Sequence, residues 1–286
     1  MATILCPVRG CAAPLERQEQ SWSCPRGHSF DIARSGYCNL LQPQDRKSKS
    51  PGDPKEVALA RRRFLEAGHG DFLLQALLEE IPSGLAVLDV GCGEGFFLGS
   101  LAREREMEAH GADLSVPAID LAARRFPGVS WWVVNADRAL PFADGSFGLA
   151  LSIAGRRPSK ELRRVLRGDL LVAIPGEDDL IELREAVLGE GRLLGRVERT
   201  VAELAGDFEL TSHRTARHTA RLDEAAIRDA LASTYRGARD SQRKRLKEIR
   251  GLGPLSPAQA GERDGERGDG IKVTLSFDLL RFAVSE

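Results

Sequence analysis

The 286-residue chain is 42% hydrophobic and 29% charged with a net charge of −1, the make-up of a globular protein with enough chain to bury a core. No apolar run approaches the roughly 20 residues of a membrane helix, and the first residues, Met1–Cys6, lack the basic-then-apolar pattern of a secretory signal. Without such a signal, five cysteines read as thiols or metal ligands rather than disulfides, and the expected compartment is the cytoplasm.

Residues 1–40 hold four of those cysteines, are rich in turn residues and lack helical periodicity. Cys6-Pro-Val-Arg-Gly-Cys11 and Cys24-Pro-Arg-Gly-His28 each use proline and glycine to tighten the turn between two soft ligands. Cys6, Cys11, Cys24 and His28 would make a closed tetrahedral zinc set, which is a structural site with no open position. A segment this short can hardly fold on a hydrophobic core, so metal would supply its stability. The competing reading is scattered free thiols in a loop. Cys38 lies outside the pattern and reads as a small packed hydrophobe.

Residues 41–56 are polar, basic and proline-containing, which suits a linker. Further basic runs follow at Arg61-Arg62-Arg63, Arg156-Arg157, Arg163-Arg164 and Gln242–Arg250. Such runs either grip a phosphate backbone or are solvated helix faces.

Over residues 57–286 strand and helix patterns alternate. Ala86–Val90 is a short buried strand, followed by a glycine loop and an amphipathic stretch, Gly95–Met107. Ala109–Asp113 is a second strand and Pro117–Phe126 a helix with proline in its first turn. Strands are expected at Ser130–Val134, Phe147–Ile153 and Leu170–Ile174, with a helix at Ser159–Leu166. A helix from Asp223 to about Ser233 and a strand from Ile271 to about Phe282 complete the pattern, and Gly251–Gly270 reads as a mobile loop. The alternation predicts an α/β fold with a doubly wound, mostly parallel sheet.

The chemistry concentrates in Val87-Leu88-Asp89-Val90-Gly91-Cys92-Gly93-Glu94-Gly95. A buried strand runs into three alternate glycines, which let backbone approach a nucleotide-like ligand. Asp113, ending the next strand, stands where a carboxylate would accept two ribose hydroxyls. The spacing resembles class I (Rossmann-like) methyltransferases more than dinucleotide dehydrogenases. Leu140-Pro141-Phe142-Ala143-Asp144-Gly145-Ser146-Phe147 resembles a segment of the same enzymes, with Gly148 where an aspartate is usual. Cys92 is small enough to pack in the loop and is not read as a nucleophile. Asp137, near the end of the third strand, is placed to contact the adenine end of a cofactor. Trp131 and Trp132 could stack on a base, but their strand position favours the core for at least one.

With both constellations in one chain, the sequence resembles the 23S rRNA guanine-N1 methyltransferases, a zinc-containing family that includes macrolide-resistance homologues. The resemblance runs through Gly27–Arg34, Gly36-Tyr37-Cys38-Asn39-Leu40-Leu41, Pro51-Gly52-Asp53 and Ala60–His69. It fades after Ala205 and returns at Val273-Thr274-Leu275-Ser276. It implies methyl transfer from S-adenosylmethionine to N1 of a guanine in a 23S rRNA hairpin, a zinc module that helps hold the RNA, and a homodimer. Asp89, Gly91, Gly93, Gly95, Phe97, Leu98 and Asp113 match the family's cofactor positions.

Four departures fall near the expected pocket. Ile153-Ala154-Gly155 replaces an aromatic-Ala-Pro segment and Arg167-Gly168-Asp169 replaces Pro-Gly-Gly. Asp179 stands where a histidine is expected, and Gly70 where a tyrosine is. Guanine N1 carries a proton at neutral pH, so a general base or a shifted equilibrium is needed, and the residue pattern assigns no base. Two rivals stay open: an RNA-binding protein with a degenerate methyltransferase domain, and a small-molecule methyltransferase on the same fold.

Overall fold

Three short strands open the chain, β1 (Glu16–Arg17), β2 (Ser21–Ser23) and β3 (Ser29–Asp31), joined as an antiparallel meander. The structure is a computed structural model that describes residues 2–45, 51–188, 195–234 and 270–285. β4 (Cys38–Asn39) leaves the meander for the large sheet. After residues 46–50, α1 (Lys55–Phe64) runs into one π turn, Leu65–His69, which Gly68 ends with a φ of 91°, and α2 (Asp71–Glu80) follows. A left-handed φ costs glycine nothing, so the residue sits where the helix must be re-aimed.

From there strand and helix alternate: β5 (Leu85–Val90), α3 (Phe96–Glu104), β6 (Met107–Asp113), α4 (Val116–Arg125) and β7 (Ser130–Val133). Next come β8 (Phe147–Ile153), α5 (Ser159–Val165), β9 (Leu166–Pro175), α6 (Ile181–Leu188) and α7 (Arg196–Leu204). β10 (Phe208–Leu222), α8 (Glu224–Thr234) and β11 (Ile271–Val284) end the chain. Local chemistry explains these boundaries. α4 starts where the Ser115 hydroxyl accepts the Ala118 amide and Pro117 occupies the first turn; its buried face is Ala118, Ile119, Ala122 and Ala123. In β5 every residue after Leu85 is buried, as expected of a parallel strand covered on both faces.

The eight strands order as β10-β11-β9-β8-β5-β6-β7-β4. β5 through β9 and β4 run parallel, and β10 and β11 add an antiparallel edge. From β5 the chain winds outward through β6 and β7, then returns to β8 and winds the other way. That reversal opens a crevice at the carboxyl ends of β5 and β8, where ligands bind in doubly wound sheets.

β10, fifteen residues long, had no counterpart in the sequence reading. It is an outer strand whose residues are mostly exposed, so it carries no apolar alternation to read. The sequence pattern likewise does not delimit α1, α2, α6 and α7. The expected loop over 251–269, the basic run 242–250 and the heart of the linker, 46–50, lie outside the described residues.

The cysteine-rich segment is built into the sheet. Cys38 and Asn39 pair with Trp132 and Val133 of β7, the Leu5 amide donates to the Pro141 carbonyl at 2.9 Å, and Ile4 bridges Phe142. Cys11, Leu15, Cys38 and Leu40 share one core with Trp132, Phe142 and Phe147. The opposite face of the sheet packs Trp131 with α2, α3 and α4. The strand period of two thus sends the adjacent tryptophans to opposite faces. Both are 2% exposed, and their indole N–H groups are spent on the Phe126 carbonyl and His110 Nδ1. Neither is available to stack on a base, which corrects that alternative.

The described basic runs are also largely neutralised. Arg61 pairs with Asp53, Arg62 with Glu66, Arg63 with Asp229, Arg156 with Asp137, Arg157 with Glu203 and Arg164 with Glu161 and Asp144. Gly168 proves to be a packing requirement: a Cβ there would meet the Gly148 carbonyl oxygen at 2.1 Å, where the β8–β9 register shifts. Among the described residues no helix is long and apolar enough to cross a membrane.

Phe142 is fully buried where the amino-terminal segment meets the sheet, edge-on to Trp132 and Phe147. Phe142→Ala is expected to cost about 3–5 kcal/mol, measured as a lower denaturant midpoint. Zinc retention should fall with it, because the two parts share that core.

Candidate functional site

Two sites emerge, one in the amino-terminal segment and one in the crevice. In the first, the Sγ atoms of Cys6, Cys11 and Cys24 and a ring nitrogen of His28 all lie within 4.8 Å of one another. His28 Nδ1 is 3.4 Å from both Cys6 Sγ and Cys24 Sγ, and Cys11 Sγ is 3.8 Å from Cys24 Sγ. Ligands bound about 2.0–2.3 Å from one zinc stand roughly 3.4–3.8 Å apart at tetrahedral corners, so the four atoms fit that ion. Turn geometry gathers them: the Cys11 amide donates to the Val8 carbonyl and the Cys24 amide to the His28 carbonyl. Burial opposes ionisation of the Cys24 thiol, but the backbone amides of His28 and Arg26 outweigh it and bring the thiol down to about 6. Cys6, dominated by burial, is pushed up to about 12. Cys38, 2% exposed, packs in the core as expected of it.

The second site is a cavity of about 980 Å³ at the carboxyl ends of β5, β8 and β9, closed on one side by the π turn and α2. Gly91 and Gly93 line it with φ of 78° and 58°. A Cβ on Gly91 would press on Gly155 at 3.3 Å and one on Gly93 on the Arg61 guanidinium at 2.9 Å. The departure at Gly155 therefore sits directly against the glycine loop. Asp89 and Glu94 face the cavity from either side of the loop. Asp89 Oδ1 and Glu94 Oε2 are buried without a hydrogen-bond partner. Burial, then the nearby charges of Asp113 and Glu94, push Asp89 up to about 8. Burial likewise raises Glu94, against the pull of Arg61, whose guanidinium is 3.6 Å away. Glu94 Oε2 has at least the Arg61 charge beside it, whereas the Asp89 oxygen has no partner and calls for a ligand bearing donors or positive charge.

Of the residues singled out for a cofactor, Asp89, Gly91, Gly93, Phe97 and Asp137 lie on the cavity wall. Asp113, Gly95 and Leu98 lie behind it. Asp113 accepts the Gly93 amide at 3.0 Å and the Ser115 amide at 2.8 Å, so it braces the loop. Over it, the Ser115 hydroxyl donates to the Asp53 carbonyl and Gly52 sits so close to Ser115 that no side chain would fit. Gly95, with φ of 79°, starts α3 where a Cβ would strike Trp131, and Leu98 is fully buried. Asp137 holds Arg156 at 2.7 Å on the rim.

Sequence reasoning did not single out Arg61 or Glu94. Burial opposes the Arg61 charge, but Glu94 and Asp53 hold it protonated. It lay hidden in a basic run that looked like solvent-facing surface. Nor did sequence show that the π turn, with His69 and Gly70, lines the cavity. At Gly70, where the family pattern has a tyrosine, a Cβ would meet the Leu65 side chain at 2.8 Å and the Phe96 ring at 3.0 Å. Ala154 and Leu180, both on the wall, have φ of 49° and 51° without being glycine. Left-handed strain of this kind is concentrated where a fold positions functional groups.

Comparison with known proteins accords with this geometry. Residues 4–49 match the zinc-ribbon family model described as "RlmA, N-terminal", and residues 87–169 match "Methyltransferase domain". The chain is 36% identical to the 23S rRNA (guanine(748)-N(1))-methyltransferase of Streptomyces fradiae, over 85% of this chain and 90% of that protein. It is 31% identical to the putative 23S rRNA (guanine-N(1)-)-methyltransferase of Micromonospora griseorubida, over 97% and 96%.

Two outcomes follow from the geometry. Cys24→Ser is expected to lower bound zinc, measured by elemental analysis, and to loosen the amino-terminal segment; unchanged zinc would remove Cys24 from the ligand set. Asp89 holds its proton to about pH 8 when folded, whereas an unfolded aspartate ionises near 4. The folded state thus binds more protons between those values, and stability falls as pH rises through that window. Asp89→Asn escapes the penalty, so its Tm should exceed wild type by a margin that widens from pH 4 to 8 in calorimetry.

Proposed function

The chain belongs to the 23S rRNA (guanine-N1)-methyltransferase family, and from that premise we propose how its residues divide the work. It transfers a methyl group from S-adenosylmethionine to N1 of a guanine in 23S rRNA, and it is a zinc protein. The observation that carries the assignment of the site is the glycine-lined cavity with its orphaned Asp89 oxygen.

S-adenosylmethionine supplies an electrophilic methyl on a sulfonium and carries an ammonium group, which suits a cavity ringed by carboxylates. We assign Asp89, Gly91, Gly93, Phe97 and Asp137 to contact with it, and Gly95, Leu98 and Asp113 to holding the loop in shape. The chain's own contribution is alignment of donor and acceptor, which can lower a barrier by roughly 7–11 kcal/mol. Cys6, Cys11, Cys24 and His28 are assigned to zinc. Their site is closed, so the metal's role is to fold residues 1–40, and those residues would help hold the RNA. Residues 41–56 serve as the connection and 57–286 as the transfer domain. The target is assigned to a hairpin, because a looped base can be unstacked into a cavity more readily than a paired one. The enzyme would work in the cytoplasm, as a homodimer, which light scattering on the purified protein tests.

The deciding experiment is methyl incorporation from labelled S-adenosylmethionine into unmodified 23S rRNA, with the product mapped by mass spectrometry. Label on N1 of a hairpin guanine is expected; folded, zinc-loaded protein that gives none would favour the degenerate RNA-binding reading. Asp113→Ala removes the brace under Gly93 and should weaken cofactor binding at least about tenfold, near 1.4 kcal/mol, in calorimetric titration. An unaltered Kd would end that role.

A further inference from the structure

The side of the cavity away from the glycine loop suits a flat ring with donors on its edge. Phe64, Phe72 and Phe277 line it, with the Phe72 and Phe277 centroids 6.3 Å apart. Between β9 and α6 the chain turns tightly against β11. Gly176 permits this, since a Cβ there would fall 1.9 Å from Ser276 Oγ. Leu180 completes the turn in its left-handed conformation, its amide donating to the Thr274 carbonyl at 2.7 Å. The strained turn delivers one ionisable side chain to the wall: Asp179, 8% exposed. Its Oδ1 accepts the Ser276 amide at 3.0 Å, and no hydrogen bond among the described residues engages Oδ2.

We propose that the Asp179 carboxylate receives the target guanine, accepting the N1–H and N2–H donors of its edge, and takes the N1 proton during methyl transfer. The proposal rests on the guanine-N1 reading above. A carboxylate has about four acceptor positions, so the Ser276 bond leaves room for both donors. The topology suits the role. Asp179 follows β9, and β8 separates β9 from the β5 loop assigned to the methyl donor. Two strand spacings, roughly 10 Å, leave space for the reacting atoms between Asp89 and Asp179.

The step balances without another reactant. The N1–H bond breaks and its proton passes to Asp179, while the N1 electron pair forms the bond to the methyl carbon. The carbon–sulfur bond breaks with its pair retained by sulfur, which becomes a neutral thioether. Asp179 then gives the proton to water. The same contact selects the base. Adenine presents a bare N1 lone pair that a carboxylate repels, and inosine keeps N1–H but lacks the N2 donor.

The surroundings keep the carboxylate ionisable. Burial raises its pKa and the Ser276 amide opposes that, followed by the charges of Arg196 on α7 and Arg184 on α6; the result is about 6. Asp178 beside it raises it further and is itself paired with Arg217 of β10 at 2.7 Å. From α6, Glu182 accepts from Thr274 of β11, and from the π turn His69 lines the same cavity with a pKa lowered by burial. A base ionising near 6 is charged at neutral pH and still strong enough to share a proton.

The test uses the full zinc-loaded protein, 23S rRNA and single-turnover rates from pH 5 to 8. Wild type should lose rate about tenfold per pH unit below about pH 6, where Asp179 becomes protonated. Asp179→Asn should lower the rate roughly 10²–10⁴-fold and abolish that limb, while cofactor and rRNA affinities stay within about twofold. Asp179→Glu should recover part of the rate, and inosine at the target should react more slowly than guanine. Wild-type rate and pH profile in Asp179→Asn would overturn the proposal while leaving the guanine-N1 reading intact. Label mapped to another atom or base in the wild type would overturn both. Should Asp179→Asn fail to fold, a wild-type rate that is flat from pH 5 to 7 would be sufficient to reject the base.

Discussion

Four carboxylates, Asp53, Asp89, Glu94 and Asp113, gather around one glycine loop, with the Arg61 guanidinium reaching in from α1. Charge of one sign collected in a dry space is costly unless it is hydrogen-bonded or matched. Asp113 is satisfied by two backbone amides, and Asp53 and Glu94 share Arg61. Asp89 is left with an orphaned oxygen. This arrangement settles several features at once. It docks α1 over the loop, since Arg61 has no other way to meet both acids. It draws Pro51-Gly52-Asp53 across the end of β6, where the Asp53 carbonyl accepts from Ser115. It also leaves Gly93 no room for a side chain, since a Cβ there would meet the Arg61 guanidinium at 2.9 Å. A protein that spends stability on uncompensated acid at one spot is prepared for a ligand that supplies the missing donor.

Sequence made the centre of the fold readable and left its margins dark, for a physical reason. β5, β6, β7 and β8 are buried on both faces, so their apolar runs and the glycine loop between β5 and α3 could be located almost to the residue. β10 is mostly exposed and alternates nothing, and α1 hides its inward residue, Arg61, within a run of three arginines. The zinc quartet was legible because its spacing is short-range chemistry. That the quartet's segment would share a core with Phe142 and Trp132 was not, because the contact joins residues a hundred positions apart. The meaning of the positions that depart from the family pattern lies in the coordinates. Gly70 and Gly155 fill tight approaches to Phe96 and Gly91, whereas Asp179 stands on the wall of the cavity.

The amino-terminal segment and the sheet share a core along their common edge. β4 extends the sheet beyond β7, and Trp22 meets Trp132 with centroids 5.3 Å apart. His110, a residue of β6, joins the same aromatic cluster three positions before Asp113 ends that strand. The metal-ligand segment and β7 are thus joined through packed side chains and a strand pairing. Packed interiors of this density transmit small shifts instead of absorbing them.

The close approach of Gly148 and Gly168 carries a consequence for how this chain can change over generations. A methyl group on Gly168 would drive into the Gly148 carbonyl, whereas one on Gly148 would meet only Leu85 at 3.1 Å. The two positions are therefore unequal partners in drift. Gly148 can accept a small side chain if Leu85 yields, but Gly168 is frozen until the strand opposite has already moved. The tolerance of the β8–β9 register shift is thus one-sided, set by a backbone oxygen at Gly168 and by a side-chain methyl at Gly148.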